Sequence, residues 1–259
     1  MIKMSKAIVV YLQFNEDVEW FGRELFSDGT ILYAGYNVIP VQYTGETEPD
    51  WDELIVTKYS DENQYNKVIE HLKTQETKLK NYKVFLISLI PQPLFEKINS
   101  ILEKHRTFSF ESTPDDELQK RMESMISPKS MERYKSRNKS QPHAMVFFNR
   151  YHVVTEYPDD YDGEDKQPNG RAAYFEYAKS IMRYQGSVGG KILVGGSYKA
   201  TIYSDKDEAY DDFNVAWYPS LKNFEKMNHA KFFREKSIHR GTGLKETLTC
   251  ASTPYEDYS

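Results

Sequence analysis

The sequence predicts an α+β protein made of two tandem β-α-β-β-α-β units, and three observations carry that prediction. Residues Trp51 to Ile90 fall on Tyr210 to Thr249 at a constant offset of 159, with Trp51 on Tyr210, Leu54 on Phe213, Val56 on Val215 and Tyr59 on Tyr218. An internal repeat of this size marks a duplicated structural unit. The runs in each copy follow the order strand, helix, strand, strand, helix, strand, the split βαβ pattern of a four-stranded antiparallel sheet with two helices on one face. Finally, Met145, Val146, Phe147 and Phe148 put apolar side chains on both faces of one strand, so both faces are buried. Helices cover one face, and the other copy covers the second, with the two sheets packed face to face.

The elements follow in order. Ala7 to Phe14 opens the first copy, Asp17 to Phe26 is its first helix and Ile31 to Gln42 its second strand. Ser60, followed by Asp61 and Glu62, is the expected N-cap of the next helix, with acidic groups where the helix dipole favours them. Leu94, Phe95, Ile98, Ile101 and Leu102 form the stripe of a further helix. Another follows the N-cap Thr113 and Pro114, with Leu118, Met122, Met125 and Ile126 on one face. Ser127 to His143 mixes Lys129, Arg133, Lys135, Arg137 and Lys139 with Ser, Pro and Asn, and reads as a mobile, solvated linker. The second copy opens at Met145 to Val154. An amphipathic helix at Arg171 to Tyr184, a strand at Gly190 to Tyr203 and an N-cap at Ser220 follow. The domains expected are a degenerate first unit over 1–106, a helical and flexible linker over 107–144 and a pocket-bearing second unit over 145–259.

Composition narrows the function classes. Within 259 residues, 34 basic and 39 acidic side chains leave a net charge of −5, which removes the long-range attraction that non-specific nucleic-acid binding needs. Only 39% of residues are hydrophobic, 20 Tyr included, so the core leans on rings that bury a face and keep a hydroxyl hydrogen-bonded. Apolar runs such as Ala7 to Leu12 and Val84 to Ile90 are far shorter than the roughly 20 residues that span a bilayer. The lone Cys250 makes no internal disulfide, so a reducing, cytoplasmic setting is expected.

The second copy carries Val188-Gly189-Gly190-Lys191-Ile192-Leu193-Val194-Gly195-Gly196, then Trp217-Tyr218-Pro219-Ser220, and a late His239-Arg240. This pattern resembles a small uncharacterised family of the dimeric alpha-beta barrel (ferredoxin-like) superfamily, over roughly residues 145 to 252. The first copy has Ala34-Gly35 but lacks the second Gly-Gly and the proline after Tyr59. Relatives in that superfamily dimerise through their sheets, so the resemblance implies an intramolecular dimeric alpha-beta barrel, an internal pseudo-dimer, with a homodimer as a further option. The superfamily includes cofactor-independent monooxygenases, isomerases, haem proteins and members without known activity, and fold does not choose among them.

Candidate chemistry concentrates in the second copy. His152, read as mid-strand beside Arg150 and Tyr151, is the candidate base or haem ligand, against a hydrogen-bonded structural histidine. Arg240 can fix a carboxylate or enolate, against a salt bridge to its helix, and Tyr218 can donate to the same oxygen. Tyr151, Tyr174, Asn214 and Trp217 are the candidate substrate contacts, with Tyr157 and Phe224 as further aromatics and core packing as the alternative. Asp212 and Asn214 share a strand face with Tyr210 and Tyr218. His229 and His239 are expected at the surface. The acidic loop Pro158 to Gly170 fails an EF-hand frame, with Asp165 where Gly is required and Arg171 where Glu is required, and reads as a solvated loop or lid. No metal ligand set or cofactor is expected. The function reading is a pocket for a small aromatic or polyketide-like molecule, acted on by a cofactor-independent monooxygenase or isomerase. The alternatives are a non-catalytic ligand-binding or interaction module and, less favoured, a haem-binding protein.

Overall fold

In the computed structural model, residues 5–15, 26, 28–43, 50–75, 77–113, 120 and 126–258 are described. The expected helices at Asp17 to Phe26 and at Thr113 to Ile126 lie largely outside these residues. Strands β1 (Lys6–Phe14), β2 (Thr30–Tyr43), β3 (Trp51–Lys58) and β4 (Leu79–Leu89) come from the first half. β5 (His143–Tyr151), β6 (Lys191–Tyr203), β7 (Asp212–Tyr218) and β8 (Leu244–Pro254) come from the second. Helix α1 (Glu62–Lys73) lies between β3 and β4, and α2 (Gln92–Lys104) and α3 (Pro128–Lys135) join the halves. In the second half α4 (Gly170–Ser187) follows β5, and α5 (Leu221–Asn228) and α6 (Lys231–Gly243) follow β7.

All eight strands close into one antiparallel barrel in the order β1-β3-β2-β8-β5-β7-β6-β4. Each half contributes four adjacent strands in the same relative order, its fourth strand beside its first, then its third and its second. The two sheets were expected to pack face to face. They do meet across an interior, but they are also joined along both edges, by β2 against β8 and β4 against β6. Closure removes the four exposed edges that two separate sheets would present.

Alternation along the strands sorts the residues into layers. Ala7, Val9 and Tyr11 of β1 and Ala144, Val146 and Phe148 of β5 point to the interior. Tyr11, Trp51, Phe85, Phe148, Tyr210 and Phe213 fill it, with Phe85–Phe148 and Phe148–Phe213 ring centroids each 4.7 Å apart. On the outside of the first half, Ile8, Val10 and Ile55 pack beneath Tyr65, Val68 and Ile69 of α1. Tyr210 lies in the interior, not on the outer face with Asp212, because the strand begins only at Asp212.

The ladders also correct the repeat alignment. Val9 pairs with Val56 as Val146 pairs with Val215, so the offset holds across β3 and β7. Val9 faces Phe85 on its other side and Val146 faces Cys250, whereas the constant offset puts Phe85 on Leu244. The second half carries α5 and α6 where the first has α1 alone, and the extra helix shifts the register.

Two further expectations change. Asp61, not Ser60, caps α1 by accepting from the Asn63 and Gln64 amides, while the Ser60 hydroxyl donates to Gln64 Oε1. Ser127 to His143 keeps Lys129, Lys135 and Lys139 exposed but is also docked: Ser127 caps α3, Met131 and Tyr134 are buried, and Arg133 pairs with Asp50 at 2.7 Å. Arg137 donates to the backbone oxygens of Asn37 and Ala251 where the β2–β8 register slips. Asn37 there has φ +52°, a conformation Asn tolerates better than most side chains.

Candidate functional site

Aromatic rings fill the barrel interior, so room for a ligand has to lie outside it. Along β7, Asp212, Asn214, Ala216 and Tyr218 face outward beneath α4, α5 and α6, and α2 supplies Ile98 and Ile101 to one flank. The helices stand off this face and enclose a cavity of about 570 Å³. That volume is in the range of sites for drug-sized molecules. Two glycines shape its neighbourhood. A Cβ on Gly196 would lie 2.6 Å from the Ser88 carbonyl oxygen of β4, so glycine lets the barrel close here. Gly189, with φ +84°, ends α4 and turns the chain into β6.

The polar groups at one end of the cavity form a connected set. Asn149 of β5 is fully buried and lies opposite Asp212. Its Nδ2 donates to Asp212 Oδ1 at 3.1 Å, and its Oδ1 accepts from Thr247 Oγ1 at 3.1 Å. The Tyr151 hydroxyl donates to Asp212 Oδ2. Burial pushes the Asp212 carboxyl above the ordinary carboxylate value, against the lowering influence of these two hydrogen bonds and of Arg171. Arg171 lies over the Tyr151 ring, 5.4 Å from its centroid. Burial also pushes the Tyr151, Tyr174, Tyr177 and Tyr218 phenols up, while the positive charge of Arg240 opposes the rise at Tyr174 and Tyr177. These phenols therefore act at neutral pH as hydrogen-bond donors, not as phenolates.

Of the residues singled out in the sequence, Tyr151, Tyr174, Asn214, Tyr218 and Arg240 all line this cavity. Arg240 belongs to α6, and not to a segment past the helix. His152 and Trp217 do not line it. β5 ends at Tyr151, and His152 is an exposed residue whose backbone N–H donates to the Gly243 oxygen and whose oxygen accepts from Gly170. Trp217 has the strand parity of Phe213 and Val215, opposite to Tyr218, and Lys191 Nζ sits 4.5 Å from its ring centroid. Successive side chains of a strand point to opposite faces, so Trp217 points away from the side that carries Tyr218.

His239 is fully buried instead of lying at the surface. Its Nδ1 is 2.8 Å from the Tyr157 hydroxyl and its Nε2 is 3.0 Å from Asp165 Oδ2. Hydrogen bonds from Lys236 first, then Tyr161, hold the Asp165 carboxyl well below the usual range. The acidic loop is thus clasped to α6 by one of its own carboxylates. Among the described residues no group of three or more His, Cys, Asp or Glu is placed to hold a metal ion. No helix among them is long and apolar enough to cross a membrane.

The sequence reading left Asp212 and Asn149 out of the site. Asp212 was visible as a polar residue on the strand face it shares with Asn214 and Tyr218, but Asn149 becomes relevant only once the β5–β7 register sets it opposite Asp212.

No protein-family profile and no curated protein matches the chain. Among solved structures, the chain is similar to a protein of unknown function from Rhodopseudomonas palustris, at 20% identity over 57% of this chain and 99% of that one, with a TM-score of 0.43. It is also similar to a monooxygenase candidate from Fusobacterium nucleatum, at 9% identity over 98% and 94% of the two chains, with a TM-score of 0.46. A third is a mutant chlorite dismutase from Candidatus Nitrospira defluvii, at 11% identity over 98% and 92%, with a TM-score of 0.46. At these values the likeness transfers no residue role to this chain.

Proposed function

We propose that the chain is an intramolecular dimeric alpha-beta barrel of two ferredoxin-like units, about 1–106 and 145–259, and that its second unit moves a proton on a small aromatic or polyketide-like molecule. The reaction class is that of a cofactor-independent isomerase or monooxygenase. The observation that carries the reading is Asp212, the one acid lining the cavity among the described residues, at the polar end of a largely apolar space and with its carboxyl pushed up by burial. A carboxylate raised toward neutrality is a stronger base than an exposed one. In this scheme Asp212 takes a proton from the carbon next to a substrate carbonyl. The C–H electron pair moves onto the carbonyl oxygen as an enolate, which the Arg240 charge and the Tyr174 hydroxyl stabilise. Returning the proton to a different carbon completes an isomerisation, and reaction of the enolate with dioxygen begins an oxygenation.

This reading replaces His152 with Asp212 as the base, keeps Arg240 as a donor, and puts Tyr174 in the place of Tyr218, which lies at the other end of β7. The haem alternative required an imidazole in the cavity, and among the described residues no histidine or cysteine lines it. The phenols that do are held in the protonated form, not as the phenolate that would ligate iron. The non-catalytic reading is favoured by one fact: both Asp212 oxygens already have donors within the fold.

Proton exchange separates the two. With 1-tetralone in deuterium oxide, the wild type should speed deuterium uptake beside the carbonyl by at least ~100-fold over Asp212→Asn, the usual scale of general-base catalysis. Binding of 1-tetralone by both proteins without any enhanced uptake would leave a binding module.

A further inference from the structure

The far end of the cavity holds polar atoms that the scheme above does not use. Tyr134 of α3 and Asn228 of α5 both line the cavity and are 7% and 8% exposed. The Tyr134 hydroxyl and Asn228 Oδ1 are buried and have no hydrogen-bond partner among the described residues. Such atoms are uncommon in folded proteins, because leaving one unpaired forfeits its hydration without compensation. Their surroundings form a box: His143 lies 5.0 Å from Phe224, 6.3 Å from Tyr134 and 6.5 Å from Tyr218, ring centroid to ring centroid. Phe224 and Asn228, four residues apart on α5, share one helix face. Burial, with Arg137 nearby, keeps the His143 imidazole well below its ordinary value and so neutral, while burial keeps the Tyr134 phenol protonated. The box therefore offers uncharged hydrogen bonds: a donor on Tyr134 and an acceptor on Asn228.

The distance from this box to Asp212 sets the ligand's shape. Asp212 and Tyr218 bound β7 on one face, with Asn214 and Ala216 between them. At roughly 3.3 Å per residue the two backbone positions are about 20 Å apart. Apolar walls from Met145, Phe147, Ile181 and Met227 separate the two polar ends.

We propose that the cavity takes an elongated, flat molecule with a polar group at each end: an enolisable head toward Asp212 and Arg240, and an uncharged, hydroxyl-bearing tail that accepts from Tyr134 and donates to Asn228 Oδ1. The inference rests on the cavity being the ligand site, and it names the substrate class of that site as a hydroxylated polycyclic ketone or quinone in preference to a singly substituted arene.

The test compares 2,8-dihydroxytetracene-5,12-dione, polar at both ends and long enough to span the cavity with a hydrogen bond at each, with 2-hydroxytetracene-5,12-dione, polar at one. Dissociation constants are measured by fluorescence quenching for the wild type, Tyr134→Phe and Asn228→Leu. The wild type should bind the dihydroxy probe about 10-fold more tightly, the scale of one hydrogen bond to a buried group. Each substitution should reduce that preference to within about 2-fold while leaving the affinity for 2-hydroxytetracene-5,12-dione nearly unchanged. Equal binding of both probes by the wild type, or a preference that survives both substitutions, overturns the tail subsite and leaves the cavity reading intact. Failure of both probes to bind the wild type overturns the cavity reading together with this inference.

Discussion

Asp212 and His143 show how one buried group can respond to pH in each direction. Burial raises the Asp212 carboxyl, so the folded chain keeps that proton more tightly than the unfolded chain, where a carboxyl titrates near ~3.9. As pH climbs from that value through the folded one, ionisation costs the folded state and stability falls. The difference in unfolding free energy between wild type and Asp212→Asn, taken from urea titrations between pH 4 and 8, should move against the wild type as pH rises. His143 has the opposite sign. Its folded value lies below the unfolded ~6.5, so the stability it lends is complete above that pH and is lost as pH falls toward the folded value. A His143→Gln variant should accordingly lose less stability than the wild type between pH 7 and pH 5, and a parallel loss in both would refute a neutral buried imidazole. Residues of this kind are only partly legible in a sequence. That Tyr151, Tyr174, Asn214, Tyr218 and Arg240 lie along one cavity could be read because aromatic and polar residues recur at strand and helix spacing. His152 was misplaced by a single position, since whether a strand ends at residue 151 or 154 decides which way its side chain points.

At the scale of elements, the segment after Ser127 shows what charge content leaves out. Its basic residues suggest solvation, yet two of them dock on β2, nearly a hundred residues earlier in the chain. Arg133 reaches Asp50 and Asn37, and Arg137 reaches the Asn37 and Ala251 carbonyl oxygens left by the slip in the β2–β8 ladder. A surface run cannot be told from such a docked one without knowing the bulge it caps. Burial brings the Arg137 guanidinium down to about 10, still far above neutral, so the group remains a cation bonded to backbone oxygens. Replacing it by Met keeps much of the stem's packing but strips the donors. Arg137→Met should lower the unfolding free energy by about 2 kcal/mol, the size of hydrogen bonds made by a charged donor. Arg137→Lys should recover only part of that, because one ammonium does not reproduce the fork of N–H donors. A loss below about 0.5 kcal/mol in the Met variant, measured by chemical denaturation, would mean that the docking contributes little.

For the whole molecule, closure of the barrel ties the two halves into one stability unit, even though the repeat suggests two separable ones. Phe148 of the second half touches Phe85 and Tyr11 of the first as well as Phe213 and Tyr210 of its own, with centroids between 4.7 and 6.4 Å. The mixture of helices and antiparallel strands could be read from the sequence because local period and turn residues report them. Edge-to-edge closure could not, because it depends on long strands of one half finding partners in the other. Each half alone would leave its interior aromatic face and two strand edges in water, a state that favours aggregation over folding. Phe148→Ala removes a fully buried ring from the shared interior, a change that costs about 3–5 kcal/mol. Because that ring is common to both halves, the loss should appear equally in each. Native-state hydrogen exchange of β1 and β5 amides should slow to the same free energy in the wild type and fall by the same amount in the variant. If exchange accelerates in β5 while β1 keeps its protection, the halves open independently and the barrel interior does not couple them.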